Sequence, residues 1–346
     1  MRQLIRFELK KMFSRKVILA ALAVLVFFNI NSFLVEFPAE KTAYEQEIAG
    51  KYEGLLDDEK VQQMLQDFMP TQEQLEMWKG VHVMHIGLNS IQTAVHAYFA
   101  NEDGTWNGKT VRDVFGDREI RVGYCSGWLD FSMLLAKMMM GAAILCVLMI
   151  SPVFSGEYAG MDQLLLTARL GKTKCVAAKV LASFLAALAV AAIFLAGNFA
   201  GAFLTLGTQG LEAGTLFCGY EYQRWMPFNI SCRTMLCYQT VLSVSGILML
   251  TGITLAVSAA AKNQTTALIA ASFLFLLPLI LNLPENAPLF KIIGLLPAYQ
   301  LQFSALMQIG RTGKCFYALL GIPAAAAAML CGSLLARKLW RGRQTG

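Results

Sequence analysis

Residues 180–206 read VLASFLAALAVAAIFLAGNFAGAFLTL, and none of these 27 positions carries a charge. A helix needs about 20 apolar residues to cross about 30 Å of hydrocarbon. This run is long enough with residues to spare. Soluble domains have roughly 25% charged residues; here the figure is 15%, with 56% hydrophobic. The shortfall is concentrated in further runs of the same kind. Residues 236–261 and 315–336 are also free of charge. Six spans are predicted: 17–35, 132–154, 180–206, 236–261, 267–284 and 315–336. The second carries Lys137 near one end, where a long stem reaches the headgroups. The fifth is the shortest and contains Pro278.

The basic residues orient these spans. With the N-terminus inside, the inner segments 1–16, 155–179, 262–266 and 337–346 hold fifteen Lys and Arg against Glu8, Glu157 and Asp162. The outer loops 207–235 and 285–314 hold only Arg224, Arg233, Lys291, Arg311 and Lys314. The expected fold class is therefore all-α: a polytopic membrane protein with both termini cytoplasmic, multi-pass in the cell membrane. The net charge of +6 is a topology signal, and no nucleic-acid partner is expected. The 19-residue run Val17–Val35 exceeds a signal-peptide core and reads as a retained anchor.

Residues 36–131 form the one long polar stretch, with 17 acidic and 8 basic residues. They are expected to make a helical extracytoplasmic insertion between spans one and two. Tyr44, Ile48, Tyr52, Leu55 and Leu56 mark one helical pattern. Val61, Met64, Leu65 and Phe68 mark a second, stopped by Pro70. Thr71 and Gln74 offer a capping box. It opens a long predicted helix with an apolar seam at Met77, Val81, Met84, Leu88, Ile91, Val95 and Tyr98. His82 and His85 are three apart on that helix, but His96 is about 16 Å further along its axis. The histidines are expected beside the seam, in water, and no metal is expected. The eight cysteines include no C-x-x-C pair. Cys218–Cys232 is one pairing the order allows, but spacing alone establishes no bridge.

In residues 1–16, Ile5, Leu9, Met12 and Phe13 share one helical face, with Arg6 and Lys10 off it. This predicts an interfacial helix lying on the inner membrane surface, with lipid as its partner. The inner loop 155–179 ends its apolar stretch in Gly171-Lys172-Thr173, the close of a phosphate-binding loop. That motif needs a glycine where Leu166 stands, so nucleotide binding by this chain is not expected. Gly171 reads instead as the left-handed end of a helix, with Met161, Leu164, Leu165 and Ala168 as its apolar stripe. The spans contain no Asp, Glu or His, leaving no acid–base pair for a membrane enzyme. Asn29, Asn31, Asn198, Gln239 and Asn282 could line a path across the membrane, but the expected role is bonding between helices. Gly197, Ala200, Gly201 and the run 324–328 are expected to let helices pack closely.

The order of these features resembles the permease subunit of ABC-2 type transporters. The shared pieces are the leader LIRFELKKMFSRK, a first span with a long outer loop, and FSGEYAGMDQLLLTARLGKTKCVAAKV after the second span. The resemblance implies an ATP-driven exporter whose ATP-binding subunit is a separate chain. That subunit would meet Glu157, Tyr158, Gly160, Met161, Leu164 and Leu165, beside the basic patch of Arg169 and Lys172. It also implies a homodimer or a heterodimer with a related permease, and no catalytic residue or cofactor in this chain. The rival expectation is a membrane-anchored assembly or binding protein with an outer helical cap.

Overall fold

A computed structural model describes residues 1–77, 89–157, 171–220, 228–280, 292–302 and 320–342, the side chains of 171 and 172 aside. His82, His85, Asn282, Cys315 and residues 158–170 lie outside the described residues. Helix dominates; the strands among the described residues are two of two residues each, β1 (Gly54–Leu55) and β2 (Arg121–Val122), paired antiparallel. Among the described residues, five helices are long and apolar enough to cross a membrane: Lys16–Glu36, Ser126–Ser155, Thr173–Leu206, Cys232–Ala260 and Gly321–Arg341. The helix Gln264–Ile280 is apolar but has 17 residues.

Exposure argues for a membrane more strongly than length does. In α2 (Lys16–Glu36), Phe27 is 70% exposed and Leu34 73%. Bare apolar surface of this extent marks contact with lipid or another chain.

The chain divides into two compact units. One comprises residues 33–133 and 200–238. It contains α3 (Ala39–Lys51), α4 (Asp58–Asp67), α5 (Gln72–Met77), α6 (Ser90–Phe99), α7 (Val111–Phe115) and the short α11 (Thr215–Cys218). Val61, Met64 and Leu65 of α4 are buried as their spacing predicts. Tyr44 of α3 is exposed instead, and Thr42 and Ala49 face the core. The Thr71–Gln74 capping box forms in both directions, at 3.2 and 3.0 Å. The long seam helix does not run through residue 89. Asn89 is extended at φ −147° and caps α6 by accepting from the Gln92 N–H at 2.8 Å. His96 is fully buried rather than facing water. Residues 105–125 supply α7, capped by Thr110 and Asp113, and β2. Gly210 has φ +76°, and a Cβ there would lie 1.9 Å from the Tyr124 carbonyl oxygen, so this turn admits only glycine.

Lys51 Nζ and the Tyr52 hydroxyl both donate to Asp67 Oδ2, at 2.7 and 2.6 Å. These bonds hold the Asp67 carboxyl below its ordinary value and Lys51 above its own. Burial, then the Asp67 bond, pushes the Tyr52 phenol up to about 12. Because the Asp67 value is depressed on folding, its contribution is complete above the ordinary carboxylate value of about 3.9. It is lost as pH falls through the folded value. In Asp67→Asn, the loss of thermal stability below about pH 4 should be shallower than in the parent. The effect should be small for so exposed a pair. Superimposable acid limbs in the two proteins would refute this.

The second unit comprises residues 1–32, 134–199 and 239–346. It holds α1 (Arg2–Phe13), most of α2, the C-terminal part of α8 (Ser126–Ile150), α9 (Pro152–Ser155) and most of α10 (Val176–Leu206). It also holds most of α12 (Cys232–Ala260), then α13 (Gln264–Ile280), α14 (Pro297–Leu301) and α15 (Gly321–Arg341). Residues 297–301, read as part of an outer loop, form a wholly buried helix. Its Gln300 accepts from the Ser245 hydroxyl at 2.9 Å and donates to the carbonyls of Leu295 at 2.7 Å and Gly321 at 3.1 Å. This amide stitches α12, the turn before α14 and α15 together. Asn198, expected to bond between helices, donates within its own helix to Phe194 O at 2.8 Å. The close packing predicted at Gly197 does not occur among the described residues, where a Cβ would meet nothing within 4 Å. It occurs where α12 and α15 cross, at Gly252 and Gly332.

Candidate functional site

Residues 152–157, the root of the loop expected to lie inside, are held from several directions within one unit. Pro152 starts α9 at a position where its missing N–H costs nothing. The free N–H groups of Phe154 and Ser155 turn to the Ser258 hydroxyl near the end of α12, at 3.0 and 3.3 Å. The Phe154 ring packs on Trp340 near the end of α15, centroids 5.3 Å apart. Gly156 passes so close to Gln264, the first residue of α13, that a Cβ would lie 3.0 Å from its Nε2.

The charged core of the site is Lys179, which is fully buried. Its Nζ donates to Glu157 Oε1 at 2.5 Å, to Glu8 Oε1 at 3.0 Å and to the Val153 carbonyl at 3.2 Å. An ammonium has three protons, and all three are used. Lys11 adds a second donor to Glu157 Oε1 at 3.0 Å. The four charges balance, as burial of ions requires. Arg15 stands nearby; desolvation lowers its pKa and the Glu8 charge partly restores it. Glu157 Oε2 is buried and accepts no hydrogen bond among the described residues.

The predicted face of α1 therefore has a different use. Met12 is buried and Ile5, Leu9 and Phe13 are half-buried, on the side that also carries Glu8. This face packs on protein. The apolar residues that α1 leaves exposed are Leu4 and Phe7. Glu157, expected to meet a partner, points inward and is 5% exposed. Tyr158, Gly160, Met161, Leu164, Leu165 and Arg169 lie outside the described residues, so these calls stay expectations. Lys172 lies in a π-helical turn, Gly171–Cys175, that leads into α10. Gly171 thus opens a helical segment, correcting its reading as a left-handed helix end. Among the described residues, no group of three or more His, Cys, Asp or Glu could hold a metal.

Sequence reasoning missed Glu8, Lys11, Ser258, Gln264 and Trp340 as members of this site. One signal was available: Glu8 is the lone acid among the first 35 residues and sits beside the apolar stripe. No protein-family model, no curated protein and no solved structure matches the chain.

Proposed function

We propose that the chain is the transmembrane permease subunit of an ATP-driven ABC-2 type exporter, transmitting the work of a separate ATP-binding subunit to its own helices. One observation carries the reading. The root of the loop is fixed to α10, α12 and α15 by buried contacts, and to α1 through Lys11 and through the Lys179 that Glu8 shares. A push on residues 158–170 would then reach four helices at once. Coupling requires a contact that differs in free energy between two states. A loop on a soft root would dissipate that difference. In this reading Glu157 is the anchor of the lever, and Met161, Leu164 and Leu165 are the apolar surface that meets the motor.

The same contacts support the proposed topology. Lys11 of α1 and Trp340 of α15 both touch residues 152–157, which supports placing α1 and the end of α15 on one side. That favours an even number of crossings, with α13 as the sixth. The excess of Lys and Arg on this side makes it cytoplasmic. Residues 36–131 then lie outside. A six-span chain is half of such a transporter, so the protein works as a dimer with itself or a related permease, in the cell membrane.

Leu164→Asp with Leu165→Asp tests the motor contact without touching the buried ion pairs. The tagged full chain is purified from its native membranes in mild detergent, and ATP hydrolysis in the preparation is measured. The parent should bring an ATPase with it. In the double variant, hydrolysis should fall by well over tenfold at unchanged yield. Burying each leucine contributes about 1.5–3 kcal/mol, and about 1.4 kcal/mol is tenfold. Undiminished hydrolysis in the variant, or hydrolysis by this polypeptide alone, would overturn the proposal.

A further inference from the structure

In the unit formed by residues 33–133 and 200–238, two thiols meet that the sequence had not paired. Cys125 directly precedes α8, and Cys232 is the first residue of α12. Their sulfurs are 2.9 Å apart and both side chains are fully buried. The pair is 107 residues apart in sequence, so the approach is a product of the fold.

The surrounding backbone fixes that approach. The Cys232 N–H donates to the Ala213 carbonyl at 3.0 Å, and the Gly214 N–H to the Arg121 carbonyl at 2.8 Å. Gly214 and Ser231 form a bridge of their own. The chain leading into both cysteines is therefore tied to the same short segment, 213–214. Cys218 is buried close by, its sulfur facing the Gly123 N–H.

We infer that Cys125 and Cys232 are joined by a disulfide in the mature protein. The distance falls short of ordinary packing between unbonded sulfurs, and a bond of about 2.05 Å requires only a small further approach. The reaction balances with an external disulfide-bearing thiol oxidant. Both thiols lose their protons and the pair gives up two electrons. One S–S bond forms here, while the oxidant's S–S bond opens to two thiols. Burial of both sulfurs places this step during folding, before they are enclosed. The inference rests on the proposed orientation, which puts this unit on the side where disulfides persist. Cys218 is the third thiol near the bond and remains reduced.

Thiol counting on the full chain tests this. Membranes are dissolved in denaturant, and free thiols are tagged with a maleimide polymer with or without prior reduction. Reduction should expose all eight cysteines, with two fewer tagged before it. Cys125→Ser and Cys232→Ser should each abolish the difference; Cys218→Ser should keep it. Eight tagged thiols without reduction would overturn the inference. So would a difference that survives Cys125→Ser but not Cys218→Ser, the mark of a Cys218–Cys232 bridge. An epitope inserted at residues 107–109 and probed on intact cells reports the orientation separately. An outside epitope with eight free thiols sinks the disulfide alone; an inside epitope sinks the topology whatever the thiol count.

Discussion

Lys179→Met should cost about 3–5 kcal/mol, the usual penalty for removing one partner of a buried ion pair. The side chain it replaces is the sole cation on Glu8 among the described residues and the closer of two on Glu157. Without it, two carboxylates share one buried site with Lys11, itself about a third exposed, and the more distant Arg15. Glu157→Gln should be the milder loss, since an amide oxygen still accepts from Lys179 and Lys11. Glu8→Gln should be milder again, because it removes charge from one 3.0 Å contact. Thermal unfolding in detergent should therefore rank the variants Lys179→Met, Glu157→Gln, Glu8→Gln from least to most stable. If Lys179→Met melts with the parent, the cluster is not holding the fold.

The same cluster separates stability from positioning. A buried ion pair adds little net stability over a neutral replacement, because desolvation offsets the attraction. The triple variant Glu8→Gln, Glu157→Gln, Lys179→Met should therefore regain most of the lost stability, a non-additive result that a mutant cycle measures. On the proposed permease function it should still fail to retain ATP hydrolysis through purification, because neutral side chains fix the loop root less firmly. A triple variant that recovers both stability and the ATPase would leave the cluster no role in coupling.

These contrasts show where the sequence was readable. Runs such as 180–206 are decided by one elementary cost, that of charge in hydrocarbon, and need no knowledge of neighbours. The Thr71 cap is equally local, and so is Asn89, which with Gln92 makes the same kind of signature. Asn89 was passed over because the apolar seam continues across it from Leu88 to Ile91. Periodicity reports a face but not whether the backbone is unbroken. The Glu8–Lys179 pair was out of reach for another reason. It joins residues 171 apart in the chain, and no local pattern selects one lysine among many. The stripe on α1 was legible, yet whether lipid or protein covers it depends on that same distant pairing. Gln300 was hidden because short polar stretches between spans read as loops, whereas this one is buried and bonded on every side.

Gly332→Leu should disrupt the second unit as strongly as any change to the ion cluster, and for a purely steric reason. A Cβ on Gly332 would lie 2.2 Å from the carbonyl oxygen of Gly252 and 2.5 Å from its carbonyl carbon. Both are backbone atoms in the middle of α12, so no rotamer change makes room. A Cβ on Gly252 would likewise lie 2.8 Å from the Met329 Cα and 2.9 Å from the Ala328 carbonyl oxygen. Helices in lipid gain no hydrophobic drive toward each other, and small residues that let backbones touch supply the attraction. Overpacking a tight core costs about 1–3 kcal/mol, occasionally more, and a backbone-to-backbone contact belongs at the upper end. Gly332 also lies on the face of α15 that buries Ala325, Ala336 and Trp340. Tilting α15 away would thus loosen the Trp340–Phe154 contact at the loop root. Gly332→Leu and Gly252→Ala should both lower the thermal midpoint in detergent, the first more. Gly197→Ala, with open space around it, should leave the midpoint unchanged or raise it slightly through helix propensity. If all three variants behave alike, α12 and α15 do not cross at these glycines. If Gly332→Leu folds normally yet loses the ATPase that the proposed function requires, that proposal gains a role for the end of α15 in coupling without a role in stability.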